Sequence, residues 1–143
     1  MDAGSDLEAF VDAFSEWVEA CWFDERDLTA PRLEAVLGFP GDVVLVGSLG
    51  LLDRLVGALA TDREEVAAAL AQHLIVSGPD PARQALIRDV VLAAAAPAAA
   101  RAPLLAGHDS RAVTGAALEC ASFLTQVLAE RDGVVPSSIV RDL

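Results

Sequence analysis

The sequence predicts an all-α fold, a single-domain antiparallel bundle of about six helices joined by short loops. Apolar residues recur at three- and four-residue spacing along most of the chain, and helix-capping residues precede several of these segments. The one strand-like run, 43–46, has no second run to pair with, so we expect helix there too. A length of 143 residues fits one domain over 1–143, with 134–143 as an extended or short helical tail.

The first predicted helix begins with a capping box formed by Ser5 and Glu8. Its apolar face spans roughly 140° of arc and is formed by Leu7, Phe10, Val11, Phe14, Trp17, Val18, Cys21 and Trp22. We call the four aromatic residues of this face, Phe10, Phe14, Trp17 and Trp22, the aromatic ridge. The opposite face is acidic, and Phe23 is expected off the ridge, beyond the helix end.

Two further helices are predicted between residues 29 and 60. Thr29 followed by Pro31 predicts a short helix that ends at Leu37, after a polar loop. A turn with two glycines and a proline follows over 38–42. The next helix is apolar around most of its circumference over 49–60, which predicts the central element of the bundle.

Three main helices are predicted in the second half of the chain, and capping residues mark the starts of the first two. Thr61 and Glu64 form a second capping box, whose helix runs to about Val76. Asp80 caps the next helix, with Pro81 in its first turn.

Two more prolines, Pro97 and Pro103, are expected to kink or split the alanine-rich segment 93–106. The last long helix begins at Ser110 or the residue before it and ends at Gly133. Its apolar stripe is formed by Val113, Ala117, Cys120, Leu124, Val127 and Leu128.

Composition limits the possible function. All ten basic residues are arginine, and the chain has neither lysine nor tyrosine, which excludes lysine and tyrosine chemistry and is typical of a GC-rich bacterial genome. The net charge of −12 argues against nucleic-acid binding, because a polyanion requires clustered cations. Nine of the 22 carboxylates lie within residues 1–27, beside a single arginine.

Cysteine usage and hydropathy predict a cytoplasmic protein with no membrane span. Two cysteines do not form a secreted disulfide framework, and the acidic N-terminus lacks the basic start of a signal peptide. The two longest apolar runs, 43–60 and 90–106, are both interrupted by charged residues or prolines.

No motif predicts catalysis, and we expect no metal or other cofactor. His73 shares an apolar helix face, whereas the loop position of His108 is typical of a turn. Cys21 and Cys120 with these histidines lack the close spacing of a zinc site. Gly47, Ser48 and Gly50 resemble a phosphate loop only superficially, without its lysine. A packing role, in which Gly50 and Gly57 leave a groove for close helix contact, is therefore preferred.

The sequence leaves two main functions open, with an enzyme that uses His73 or a carboxylate as a third alternative, and the aromatic ridge forms either part of the core or a binding surface. The first is a non-enzymatic protein-interaction domain, either a homodimer or an adaptor for a basic protein partner. The second is a domain that binds a small apolar ligand in a pocket lined by Phe14, Trp17, Leu55 and His73. The candidate interface or ligand-binding residues are Phe10, Phe14, Trp17, Trp22, Leu55 and His73.

Overall fold

Apolar periodicity gives rise to helices throughout the described part of the chain. A computed structural model of the protein describes residues 3–59, 65–66 and 81–143. These residues form seven helices and no strand, which confirms the all-α prediction. The helices are α1 (Ala3–Trp22), α2 (Arg26–Leu37), α3 (Gly41–Leu59), α4 (Pro81–Ala95), α5 (Ala98–Leu105), α6 (Ser110–Asp132) and α7 (Pro136–Arg141).

The starts of the first two helices differ from the prediction. Helix α1 already includes Ala3, so Ser5 lies inside the helix and is not its N-cap. Helix α2 begins at Arg26 and contains Pro31, so the predicted start at Thr29 is wrong. Thr29 is held in the first turns of α2 by its hydroxyl, which donates a hydrogen bond to the Glu25 carbonyl at 3.0 Å.

The prolines in the second half act differently from one another. Pro97 separates α4 from α5, as predicted, but Pro103 lies inside α5 and does not interrupt it. A proline in a helix removes one backbone hydrogen bond, and here a side chain reinforces the same region. The Arg101 Nε donates a hydrogen bond to the Ala93 carbonyl at 3.1 Å, which ties α5 back to the last turn of α4.

The predicted ends of the last long helix are confirmed. Helix α6 begins at Ser110, and Gly133 follows its end with a left-handed φ of +69°. Of the two forms considered for the tail, the short helix is present, as α7. The capping box at Thr61 and Glu64 and the predicted helix to Val76 lie outside the described residues except for 65–66, which are helical.

Contacts divide the chain into two units. Unit 1 comprises residues 1–47 and 122–143, and unit 2 comprises residues 48–121. Helices α3 and α6 each run from one unit into the other.

The core of unit 1 is built on the aromatic ridge. Phe10 is fully buried and packs edge-on against Phe39, with ring centroids 5.8 Å apart. Its ring also lies against Gly47, where an added Cβ would come within 2.5 Å of Phe10 Cδ1. Burial of one large apolar side chain contributes about 1.5–3 kcal/mol, which outweighs the few tenths of a kcal/mol that each pair of neighbouring acids on α1 costs.

The core of unit 2 uses smaller side chains. Its buried residues on α4 include Ile87, Val90, Val91, Ala93 and Ala94. An ion pair between Arg83 and Glu119 joins α4 to α6. Gly50, on the unit 2 side of α3, has no atom within 4 Å of the position of an added Cβ, so the close helix contact predicted at Gly50 is wrong, while that at Gly57 stays a prediction. At Gly47, in contrast, the absence of a side chain permits close packing of the Phe10 ring.

Candidate interaction surface

The structure places most of the predicted site residues in the interior. Phe10, Phe14 and Leu55 have no exposed surface, and Trp17 is 8% exposed. Trp22 is half-buried and is the one described member of the predicted set with appreciable access to a partner. His73 lies outside the described residues. An interface or ligand role for these residues stays a prediction, and Trp22 is best placed for it.

The end of α1 is locked by its backbone. Asp24 adopts a left-handed φ of +54°, and the amide of Glu25 donates to the Ala20 carbonyl at 2.8 Å. The Asp24 amide donates to the Cys21 carbonyl at 3.2 Å. This pattern is a Schellman motif, in which the left-handed position usually holds glycine. The motif turns the chain sharply and leaves Phe23 55% exposed.

Among the residues that the structure describes, the large exposed apolar side chains all lie in unit 1. In the described part of the chain they are Phe23, Leu28, Leu37, Val46, Val134 and Val135, and every one belongs to this unit. Single exposed apolar residues are common on protein surfaces, so only those that lie close together form a candidate interaction surface.

Four of these residues lie at the same end of unit 1. Helix α7 packs against α1, and the Ser137 amide donates to the Glu19 carboxylate at 3.4 Å. Glu19 lies one turn before Phe23, whose amide bonds to the Glu19 carbonyl at 3.0 Å. The loop before α7 is therefore held near the end of α1. We call Phe23, Leu28, Val134 and Val135 the corner surface.

Glu19 also compensates for a missing cap. Val135 is the N-cap residue of α7, and its apolar side chain makes no capping hydrogen bond. A carboxylate at a helix N-terminus accepts from free amides and interacts favourably with the helix dipole. Glu19 supplies that carboxylate from α1, so it fixes the position of the loop that carries Val134 and Val135.

The rim of the corner surface is acidic. Its two arginines are each paired with a neighbour, Arg26 with Asp24 at 3.4 Å and Arg131 with Asp132 at 2.9 Å. Three further carboxylates, Glu25, Asp27 and Glu130, have no ion-pair partner among the residues that the structure describes. Sequence reasoning noted the local acidity and the off-ridge position of Phe23 but did not connect them with the loop after Gly133.

One polar atom of the aromatic ridge has no partner among the residues that the structure describes. The Trp17 indole Nε1 is buried and makes no hydrogen bond within this part of the chain. The Trp17 ring packs against Phe14 at 5.9 Å between centroids. Leaving such a donor unsatisfied costs about 1–3 kcal/mol.

Unit 2 contains the remaining titratable contacts of interest. His108 Nε2 lies 2.8 Å from Asp89 Oδ2, which ties the turn before α6 to α4. This turn was predicted, but its distant partner was not. Burial and, to a smaller extent, the charge of Glu119 raise the pKa of Cys120 to about 12 against the opposing charge of Arg83, so the thiol is protonated at neutral pH.

Other features of the described residues add no chemistry. Within residues 3–59, 65–66 and 81–143, the structure holds no group of three or more potential metal ligands. Helix α6 is long and apolar enough to cross a membrane, but 61% of its apolar window is buried inside the structure, as in the core helix of a globular fold. Comparison with known protein families, characterised proteins and solved structures found no match.

Proposed function

We propose that this chain is a non-enzymatic helical interaction domain that binds a basic protein partner through unit 1. The observation that carries the proposal is that charge and exposed apolar surface coincide. Unit 1 has 14 carboxylates and four arginines, a net charge of −10, whereas unit 2 has eight and six, a net charge of −2. The unit with most of the charge also has the described exposed large apolar side chains.

This charge favours a basic partner over a second copy of the chain. In a twofold dimer the same surface is used by both subunits, so each acidic rim would face another acidic rim. Like charges brought together at an interface cost several kcal/mol, whereas a basic partner gains both faster association and specificity. The adaptor form of the hypothesis is therefore preferred to the homodimer.

Two synthetic amphipathic peptides test the proposal. Both have the same leucine face, and the polar face is arginine and lysine in one and glutamate in the other. We expect the labelled cationic peptide to bind saturably in fluorescence anisotropy, more weakly as salt is raised, and the anionic peptide not to bind. Failure of the cationic peptide to bind at low salt would overturn the proposed function.

A second function, binding of a small apolar ligand, is favoured by the unpaired Trp17 indole. A ligand oxygen near Trp17 Nε1 would accept the hydrogen bond that the protein leaves unmade. Titration with apolar alcohols and ketones would then change tryptophan emission saturably in wild type, and Trp22→Phe would retain the change. A linear response of both proteins argues against this function.

A further inference from the structure

We propose that the corner surface is the docking site for a basic amphipathic segment of the partner protein, with Phe23 as the main apolar anchor. The inference rests on the proposed function and specifies where the partner binds. It differs from the sequence-based hypothesis, in which the whole aromatic ridge supplies candidate interface residues, because Trp17 and both ridge phenylalanines are interior.

The first argument is apolar exposure at the end of α1, in the first turn of α2 and in the loop before α7. Phe23 is 55% exposed, and Leu28, Val134 and Val135 are each 37–38% exposed. Aromatic side chains are enriched at the centres of protein interfaces, where a few anchors supply most of the binding energy.

The second argument is the charge around those side chains. The two arginines of the rim are matched in number by the aspartates next to them, so Glu25, Asp27 and Glu130 leave the rim with a net negative charge. A partner with an apolar face flanked by arginine or lysine would place cations opposite these carboxylates. An acidic peptide or an anionic lipid surface would be repelled by the same groups.

The third argument is that both loops are already ordered. The Schellman motif fixes the loop after α1, and Glu19 fixes the loop before α7. A surface held in its binding geometry loses little conformational entropy on association, which favours affinity. The left-handed Asp24 belongs to this arrangement, because it turns the chain directly after the anchor.

Alanine variants of two equally exposed residues test the site. Leu37 is 52% exposed and lies at the far end of α2, about 16 Å along the helix from Arg26, so it is a matched control for Phe23. We expect Phe23→Ala to weaken binding of the cationic peptide about tenfold and Leu37→Ala to leave it unchanged. Circular dichroism checks that both variants fold.

A charge variant separates the rim from the anchor. The double variant Glu25→Gln, Asp27→Asn should weaken binding at low salt and reduce its salt dependence, because two carboxylates that attract the peptide are lost. The pair Glu34→Gln, Asp42→Asn removes the same charge elsewhere in unit 1 and should have a smaller effect.

The outcomes distinguish this inference from the proposed function. If wild type binds the cationic peptide and Phe23→Ala binds it equally well, the docking site is wrong while the proposed function stands. If wild type does not bind, the proposed function itself fails. If sedimentation shows a wild-type dimer that Phe23→Ala dissociates, the corner surface is a self-association site and the basic partner is wrong.

Discussion

The two units of this chain show different ways of building helical structure. Unit 1 uses large aromatic core residues, carries nearly all the net charge and has the described exposed large apolar side chains. Unit 2 is nearly neutral and packs alanine, valine and leucine closely. Surplus charge and exposed apolar surface do not improve folding, so the proposed binding function gives a reason for their coincidence in unit 1.

The largest expected effect tests the difference between the cores. Phe10→Ala in unit 1 should lower the free energy of unfolding by about 3–5 kcal/mol, because it leaves a cavity between Phe39 and Gly47. Ala94→Gly in unit 2 should cost only about 1 kcal/mol, chiefly through helix propensity. Urea unfolding followed by far-ultraviolet circular dichroism measures both, and equal losses would contradict the comparison.

The same titration tests whether the chain is one domain. Because α3 and α6 run continuously from one unit into the other, we expect a single cooperative transition. Separate transitions, of which Phe10→Ala shifts only one, would show that the units fold independently.

The second effect concerns the buried thiol of unit 2. Burial raises the pKa of Cys120 from 9.0 to about 12, so between these pH values the unfolded chain loses a proton that the folded chain keeps. The free energy of unfolding should therefore fall as pH rises from 9 to 12, by about 1.4 kcal/mol per pH unit. Cys120→Ala should reduce this slope.

Cys21 in unit 1 provides the matched control for that slope. Burial raises the pKa of Cys21 as well, but its side chain is only half-buried. Cys21→Ala should therefore change the alkaline slope less than Cys120→Ala. Urea titrations across this pH range measure the slopes. Equal changes in slope for the two variants would indicate that burial does not control the pKa values of the two thiols.

The third effect uses two glycines three residues apart on α3. Gly47→Ala should cost about 1–3 kcal/mol, because the new Cβ would lie 2.5–2.7 Å from the fully buried Phe10 ring. Gly50→Ala should stabilise the protein by about 0.5–1 kcal/mol, because alanine favours helix and the site is open. Thermal unfolding measures the sign of both stability changes. Destabilisation by Gly50→Ala would mean that the groove predicted from the sequence exists.

Local patterns predicted the helices better than they predicted the surface. Apolar periodicity and the residues at the helix ends were sufficient to predict α6, since Ser110 and Gly133 affect only the backbone next to them. The start of α2 and the effect of Pro103 were missed because the rest of the helix tolerates one missing hydrogen bond. The corner surface could not be predicted, because it depends on the contact between Glu19 and Ser137, which are 118 positions apart in the sequence.

The smallest effect concerns strain beside the proposed anchor. Asp24 and Gly133 both hold left-handed positions after long helices of unit 1, but only Gly133 is the residue type that adopts this conformation without cost. Asp24→Gly should stabilise the protein by about 0.5–1 kcal/mol, since the exposed ion pair that it removes contributes little. Gly133→Ala should destabilise it by about 1 kcal/mol. If thermal unfolding shows stabilisation by Asp24→Gly and destabilisation by Gly133→Ala, the left-handed backbone at Asp24 lowers the stability of unit 1 in the wild-type protein. If Asp24→Gly also binds the cationic peptide slightly more weakly, the residue that lowers the stability of unit 1 is one that contributes to the acidic rim.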